Sequence, residues 1–341
     1  MKRDTFRGCD ILITGGLGFI GSNLARSLAA EGARVTVLDA LIPGHGGNPD
    51  NLSGCDHRLT IVKADQSAIA DLLPSLKYFH TIFNLAGQVS HVDSMTNPLL
   101  DLHCNCAVHL ALLEACKERA FRGKIIFTST RQVYGDTGGK TVDEDFSVNP
   151  VDNNGINKLA AEQYHLLYQK LYGLRTVILR LCNIYGPRQL IAHNRQGFIP
   201  WFVRLALTGN DIPLFGGGTD LREALFVSDI IAALKSAALA PLADGGRVYN
   251  IGNDYRISIR DLAEMIINAA GSGRIVEAPF PQERAAIRLK DCRLDFARAR
   301  RELGWQPSVS LLEGIRQTII FYRRNPNRYI DEHDTEVITP E

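Results

Sequence analysis

The chain has 341 residues, of which 45% are hydrophobic and 22% are charged, and its formal net charge at pH 7 is +1. These proportions are ordinary for a globular protein, and the length predicts one large domain accompanied by a smaller one. A charge so close to zero gives no reason to expect nucleic acid or a membrane surface as a partner.

The cysteines show neither a disulfide framework nor a metal-binding pattern. There are seven of them, scattered along the chain, and only Cys104 and Cys106 lie close together. Because positions i and i+2 of a helix point to different faces, this pair is a poor metal site. The odd number and scattered positions of the cysteines predict reduced thiols. The N-terminal residues enter a short apolar run without a signal-peptide pattern, and we expect no apolar stretch of roughly 20 residues that could span a membrane. We therefore expect a cytoplasmic protein.

Short runs rich in β-branched residues alternate with helical spacing of apolar residues in the first half of the chain. The predicted strands cover residues 11–14, 34–38, 59–63, 81–85, 124–128 and 176–180, and the predicted helices cover residues 19–30, 99–119 and 157–172. Buried strands that alternate with helices indicate βαβ units, in which a parallel sheet carries helices on both faces.

The alternation weakens after residue 180, where segments rich in Gly and Pro appear. We predict that residues 1–180, with a return at about 224–255, form the large domain. Residues 181–223 and 256–330 then form the smaller one, and we expect the tail 331–341 to be loosely ordered.

A glycine motif lies between the first predicted strand and the first predicted helix. Gly15, Gly18 and Gly21 follow one another at intervals of three residues. Such glycines allow a tight turn and the close approach of a pyrophosphate to a helix N-terminus. The motif predicts a Rossmann-type doubly wound parallel sheet that binds a dinucleotide.

Asp39 ends the second strand, 18 residues after Gly21. A carboxylate there accepts hydrogen bonds from ribose hydroxyls and repels the extra phosphate of NADP, so NAD is the predicted cofactor. Further cofactor contacts are expected from Phe19, Ile20, Asp65, Ala86 and Lys158.

Together with later motifs, the glycine segment resembles the extended short-chain dehydrogenases/reductases that act on nucleotide sugars. The segments that carry this resemblance are residues 14–24, 84–87, 129–135, 179–188, 215–222, 227–229 and 302–307. The resemblance implies an NAD-dependent enzyme whose smaller C-terminal α/β domain binds a nucleotide-diphosphate sugar. It also implies a homodimer formed by the helices predicted at 99–119 and 157–172.

Enzymes of this family oxidise a sugar hydroxyl to a ketone with a tyrosine as base, a lysine four residues later and a Ser or Thr hydroxyl. The resemblance places Thr130 at the Ser/Thr position and Lys158 at the lysine position, but Asn154 stands where the tyrosine is expected. Asparagine cannot act as a general base near neutral pH. Three alternatives follow: another group replaces the tyrosine, Lys158 or a water takes the proton while Asn154 orients the substrate, or the protein binds its ligands with little chemistry.

The leading replacement base is His91, which falls in a loop that in this family passes near the sugar. The pKa of imidazole in water is about 6.5, which suits proton transfer near neutral pH. The competing interpretation is a loop or helix-cap histidine. Cys182 and Tyr134 are weaker candidates.

Two residues bear on the type of reaction. Arg131 and Gln132 occupy the positions where 4,6-dehydratases of the family carry an Asp–Glu pair and decarboxylases carry a Glu at the second position. Residues 86–90 and 93–98 also resemble segments of CDP-sugar 2-epimerases. These features favour an NAD-dependent nucleotide-sugar epimerase. A dehydratase or reductase of the same family, and a catalytically impaired binding protein, are the alternatives.

Cationic and amide side chains are expected to hold the substrate. Arginine's planar fork suits phosphate oxygens, and Arg131 would suit a carboxylate or an extra phosphate on the sugar. The alternative for Arg131 is a solvated loop residue, and the alternative for Arg284 and Arg288 is a position on the surface. The predicted substrate-binding residues are Arg131, Asn183, Arg188, Arg222, Arg284 and Arg288. Phe198 and Trp201 either flank the base or belong to the core.

Overall fold

The computed structural model describes residues 5–55, 59–72, 75–241, 247–279 and 292–330. The strands of these residues are, in chain order, β1 Asp10–Thr14, β2 Arg34–Asp39, β3 Leu59–Lys63, β4 Thr81–Asn84, β5 Lys124–Thr130, β6 Thr141–Val142, β7 Arg175–Leu181, β8 Asn183–Tyr185, β9 Asp211–Phe215, β10 Leu221–Phe226, β11 Arg247–Ile251, β12 Arg256–Ser258, β13 Arg274–Ala278 and β14 Arg293–Leu294.

The helices of the same residues lie on both faces of the main sheet and around the smaller sheets. They are α1 Phe19–Ala30, α2 Ile69–Leu72, α3 His91–Thr96, α4 Pro98–Leu102, α5 Val108–Glu118, α6 Asn153–Tyr172, α7 Phe198–Leu207, α8 Val227–Leu239, α9 Ile259–Ala270, α10 Ala297–Leu303, α11 Leu311–Arg324 and α12 Pro326–Tyr329.

The main sheet has seven described strands in the order β11-β7-β5-β4-β1-β2-β3, and every pair in it is parallel. This is the doubly wound order, in which the direction of strand addition reverses between β1 and β4. Ile11, Leu12 and Ile13 of β1 are fully buried, because helices cover both faces of the sheet. The predicted α/β class and Rossmann-type sheet are confirmed.

Three smaller sheets lie beyond the main one among the described residues. They pair β12, β10 and β8, then β13 with β9, and β14 with β6. The strand β11, by contrast, joins the edge of the main sheet beside β7. The predicted domain boundaries stay a prediction, and residues 331–341 lie outside the described residues.

The helix that carries Lys158 begins earlier than its apolar pattern indicates. Asp152 is its N-cap, and the Asp152 side chain accepts a hydrogen bond of 2.7 Å from the Gly155 N–H. Residues 153–155 are poor helix formers, so the predicted start at 157 was wrong by four residues. As a result, Asn154 and Lys158 stand one above the other on the same face of α6.

The helical stretch Pro98–Glu118 joins α4 to α5 through a π-helical turn at His103–Ala107. Its 21 residues are long and apolar enough to cross a membrane by length and composition alone, so the expectation of no such stretch was wrong. Its most apolar window is 56% buried within the fold, which is typical of a core helix. The π turn sends the buried Asn105 side chain toward the site described below.

Candidate active site

A cavity of about 610 Å³ opens at the carboxyl ends of the main-sheet strands. In an open parallel sheet this edge, near the point where strand order reverses, is where ligands bind. Its lining includes most of the predicted site residues: Gly15, Gly18, Phe19, Ile20, Gly21, Asp39, Asp65, Ala86, His91, Thr130, Arg131, Asn154, Lys158, Asn183 and Arg222. Arg284 and Arg288 lie outside the described residues.

The glycine turn has the geometry that a pyrophosphate needs. Gly15 has φ +66°, and a Cβ there would lie 2.8 Å from the Ala86 Cα. A Cβ on Gly21 would collide with the Gly15 carbonyl oxygen, so both positions require glycine. Gly18 is the N-cap of α1 and offers no side chain to the first N–H groups of the helix. These groups remain available to an anion.

Two carboxylates follow along the same rim of the cavity. Asp39 accepts hydrogen bonds of 2.9 Å from the Leu17 and Leu41 N–H groups, and burial raises its pKa above the ordinary value in spite of these bonds. Asp65 caps the turn after β3 and contacts the His103 Nε2 at 2.9 Å. With the glycine turn, an acidic residue at the end of β2 fits the adenosine half of NAD.

Lys158 is almost fully buried at the inner end of the cavity. Its Nζ donates to the Thr128 carbonyl oxygen at 3.3 Å and lies 5.0 Å from the centre of the Phe127 ring. Burial lowers the pKa of Lys158 to about 8, while the Asp101 carboxylate opposes this shift. A Cβ on Gly87 would lie 2.9 Å from the Lys158 Nζ, so glycine keeps that space open.

Asn154 lines the cavity and also belongs to a buried polar network. Its Nδ2 donates to the Gln88 carbonyl oxygen at 2.8 Å and contacts the Asp101 Oδ2 at 3.4 Å. The fully buried Asp101 also accepts hydrogen bonds from Asn105 at 2.9 Å and from Asn157 at 2.8 Å. The position of the family tyrosine is therefore filled by an amide that contacts Asp101, the carboxylate whose charge acts on Lys158.

Thr130 ends β5, and its hydroxyl oxygen accepts a hydrogen bond of 3.2 Å from the Gln132 N–H. Tyr134, four residues on, faces away from the cavity. Its hydroxyl donates to Asn250 at 2.7 Å and accepts from Arg180 at 2.9 Å, and burial raises its pKa to about 12. Tyr134 is therefore a structural residue, and no tyrosine lines the described part of the cavity.

His91 begins α3 and is held between two other segments of the site. Its Nδ1 lies 2.8 Å from the Asp152 Oδ2, in a contact that is not aligned as a straight hydrogen bond. Its Nε2 lies 3.0 Å from the Gln132 Nε2. Asp152 was not among the site residues predicted from the sequence, although an Asp directly before a helix is an N-cap signal.

Of the predicted substrate-binding residues that the structure describes, Arg131, Asn183 and Arg222 line the cavity and Arg188 does not. Arg131 is buried, and its Nη1 has no hydrogen-bond partner among the described residues. Asn183 donates to the Glu223 carbonyl oxygen at 2.8 Å, and Arg222 contacts Asp220 at 3.2 Å.

The guanidinium of Arg188 instead joins α1 to α11. It donates to the Asn23 Oδ1 at 2.9 Å and lies 5.1 Å from the centre of the Phe321 ring. Phe198 and Trp201 both line the cavity, and Phe198 also packs against Phe202 with the ring centres 5.8 Å apart. The structure thus gives Phe198 a place both in the cavity wall and in the packing of α7.

Known proteins share this fold along most of their length. The chain is 37% identical to the UDP-glucose 4-epimerase of Mycolicibacterium smegmatis, over 92% of this chain and 98% of that protein. It is 32% identical to a dTDP-glucose 4,6-dehydratase of Actinoplanes sp., over 92% of this chain and 98% of that protein.

A solved structure shows the same likeness in three dimensions. The dTDP-glucose 4,6-dehydratase of Streptomyces venezuelae, solved with NAD and TYD bound, superposes with a TM-score of 0.85 at 27% identity. The likeness covers 94% of this chain and 99% of that one. Residues 11–252 match the NAD dependent epimerase/dehydratase family. The chain therefore belongs to this family, and its cofactor is NAD.

Proposed function

We propose that this protein is a nucleotide-sugar epimerase that works by transient oxidation of a sugar hydroxyl to a ketone. The observation that carries the proposal is a cavity that joins the NAD site to Thr130 and Lys158 while Arg131 and Gln132 occupy the turn after β5. The loss of water from a sugar needs an acid and a base on neighbouring carbons. Neither Arg131 nor Gln132 can serve as such an acid or base near neutral pH.

The names of the relatives support an epimerase but also include dehydratases. The relative with 37% identity is named a UDP-glucose 4-epimerase, and one with 30% identity is named a putative UDP-glucose 4-epimerase. Other relatives, with 32% and 30% identity, are named dTDP-glucose 4,6-dehydratases. The described carboxylates that line the cavity are Asp39, Asp65 and Asp220. The first two belong to the adenosine end, and the third contacts Arg222. A dehydratase is therefore the second candidate, supported by relatives but not by the side chains at the sugar end.

The residues of the chain divide the work of the reaction. NAD bound along the glycine turn and Asp39 would supply a reversible hydride acceptor for the sugar carbon. The Thr130 hydroxyl hydrogen-bonds the reacting oxygen, and the Lys158 ammonium stabilises negative charge that develops there. Arg222 provides a cation for the diphosphate, and the unpartnered Nη1 of Arg131 provides a donor at the sugar end.

The test is incubation of the protein and NAD with a panel of UDP-, dTDP-, CDP- and GDP-sugars, followed by mass spectrometry and NMR. We expect a product of unchanged mass and altered stereochemistry, with no net consumption of NAD. Lys158→Ala should abolish turnover, whereas Lys63→Ala, an exposed change on β3, should not. Loss of one water from the sugar would show a dehydratase, and clear NAD binding without turnover on any sugar would contradict an epimerase.

A further inference from the structure

The reaction proposed above needs a side chain that takes the hydroxyl proton, and Asn154 cannot do so. The described titratable side chains that line the cavity, arginines aside, are Asp39, His45, Asp65, His91, His103, Cys104, Lys158, Cys182 and Asp220. Asp39, Asp65 and His103 lie at the adenosine end, around β2 and β3, and His45 lies on the loop directly after β2.

The other candidates at the sugar end are poorer bases. Burial raises the pKa of Cys104 to about 11 and that of Cys182 well above its ordinary value, so both remain thiols near neutral pH. Asp220 is held by Arg222. His91 and Lys158 are therefore the two side chains that remain.

The surroundings of His91 resemble those of a histidine that transfers protons. Asp152, almost fully buried, lies 2.8 Å from its Nδ1. Burial raises the pKa of Asp152, but the close contact with the His91 ring, its charge and the hydrogen bond from the Gly155 N–H outweigh this, so the net pKa lies below the ordinary value. An ionised carboxylate on Nδ1 fixes the tautomer with the proton on that nitrogen and leaves a lone pair on Nε2.

The contact at the other nitrogen marks where a substrate hydroxyl would donate. Gln132 directs its Nε2 at the His91 Nε2, 3.0 Å away, and the Gln132 Oε1 is buried without a hydrogen-bond partner in the described residues. The backbone N–H of Gln132 is bound by the Thr130 hydroxyl. The lone pair of His91 thus faces the turn at residues 131–134, and Thr130, the last residue of β5, directly precedes this turn.

We propose that His91, oriented by Asp152, is the general base and general acid that replaces the missing tyrosine, an inference that rests on the proposed function. In the forward step the sugar O–H bond breaks and its proton moves to the His91 Nε2. The oxygen forms a carbonyl bond as the carbon gives up its C–H electron pair as a hydride to NAD. In the return step the imidazolium gives the proton back to the same oxygen while the hydride returns to carbon.

Lys158 serves this step as a cation rather than as the base. Its Nζ is already bound to the Thr128 carbonyl and faces the charge of Asp101. Asp152 is a positioning residue, because it acts on the substrate only through the imidazole. Its second role, as the N-cap of α6, explains why it is fixed so firmly.

The test compares His91→Gln and Asp152→Asn with His80→Gln. His80 contacts Asp10 at 3.9 Å at the opposite edge of the sheet, so this variant removes an unrelated His–Asp contact. Asparagine caps helices as well as aspartate does, so Asp152→Asn keeps α6 and loses only the charge. We expect His91→Gln to lower kcat by about 10²–10⁴-fold. Asp152→Asn should lower kcat at least about tenfold with KM and Tm nearly unchanged, because the tautomer is no longer fixed.

Two further measurements separate chemistry from folding. Added imidazole should restore part of the turnover of His91→Ala, because the cavity then has room for the free base. In the wild type, diethyl pyrocarbonate followed by peptide mass spectrometry should acylate His91 more slowly when a nucleotide sugar is bound, whereas acylation of His80 should not change.

The outcomes distinguish this inference from the function on which it rests. An active wild type whose His91→Gln variant keeps full turnover would overturn the role of His91 and leave the epimerase proposal intact. Equal acylation of His91 with and without the sugar would count against the role in the same way. A wild type that converts no nucleotide sugar would overturn the proposed function and the role of His91 together.

Discussion

At the residue scale, the buried amides and carboxylates around α6 set the charge of Lys158. Asp101 is held by three asparagine amides and is the strongest influence that keeps the Lys158 ammonium protonated. Burial works in the opposite direction and brings the pKa of Lys158 to about 8. The cation that stabilises the reacting oxygen therefore titrates within the range in which an enzyme is assayed.

This balance predicts the effect of Asp101→Asn on pH dependence. The change keeps an oxygen for the neighbouring amides but removes the negative charge, so the pKa of Lys158 should fall below about 8. If activity requires the ammonium, the alkaline limb of the kcat/KM profile should move to lower pH than in the wild type. A profile from pH 5 to 10 checks this, with Glu118→Gln, an exposed change at the end of α5, as the control. An unmoved limb would show that Asp101 does not act on Lys158.

Some of this chemistry was predictable from the sequence and some was not. The roles of Thr130 and Lys158 and the anomaly at Asn154 follow from the resemblance of their segments to motifs of the family, which can be recognised in the sequence alone. The contacts of His91 with Asp152 and of Asp101 with Asn154 join residues that are far apart in sequence. Such pairs depend on how α3, α4 and α6 pack, and no local pattern encodes that packing.

At the element scale, α4 and α6 pack against each other and expose apolar side chains on their outer surfaces. Leu99 is 77% exposed and Leu102 44% on α4, and Leu167 is 44% and Leu171 57% exposed on α6. Water-exposed leucines on two adjacent helices form a patch that a second copy of the chain could cover. We expect these helices to form a homodimer interface.

A charge placed in this patch should separate the subunits. Leu99→Asp combined with Leu167→Asp would bury two carboxylates in an apolar interface, which disfavours association. Light scattering after gel filtration should therefore change from a dimer mass in the wild type to a monomer mass in the double variant. Leu312→Asp, at a 40% exposed position on α11, should stay dimeric. A wild type that is monomeric at micromolar concentration would refute the expectation itself.

The elements themselves were predicted unevenly, and the reason is physical. Strands buried on both faces, such as β1 with Ile11, Leu12 and Ile13, appear in the sequence as continuous apolar runs that end at polar residues or glycines. The strand pairs β6–β14 and β9–β13 join segments that lie far apart, and β6 and β14 have only two residues each. Strands that short show no periodic pattern of apolar residues in the sequence. The pairing in the smaller sheets therefore depends on tertiary packing, which the sequence pattern does not reveal.

At the scale of the whole molecule, the cavity is lined both by the main sheet and by the elements beyond it. Its walls come from the glycine turn and β5 of the main sheet, and from β8, α7 and β9 beyond it. A ligand that fills this space contacts both parts at once. Because ligands that bind only the folded state add RT ln(1 + [L]/Kd) to its stability, cofactor binding should be visible in global unfolding.

The cofactor should therefore stabilise the whole chain, and Asp39 should decide which dinucleotide does so. At 100 times its Kd, NAD should raise the free energy of unfolding by about 2.7 kcal/mol. NADP should raise it far less, since its extra phosphate would face the Asp39 carboxylate. Asp39→Asn removes that repulsion and should narrow the difference between the two cofactors, while Asp211→Asn, at an exposed site on β9, should leave it unchanged. Denaturant unfolding at matched cofactor concentrations measures each value. Equal stabilisation of the wild type by NAD and NADP would mean that Asp39, bound to the Leu17 and Leu41 N–H groups, does not face the ribose.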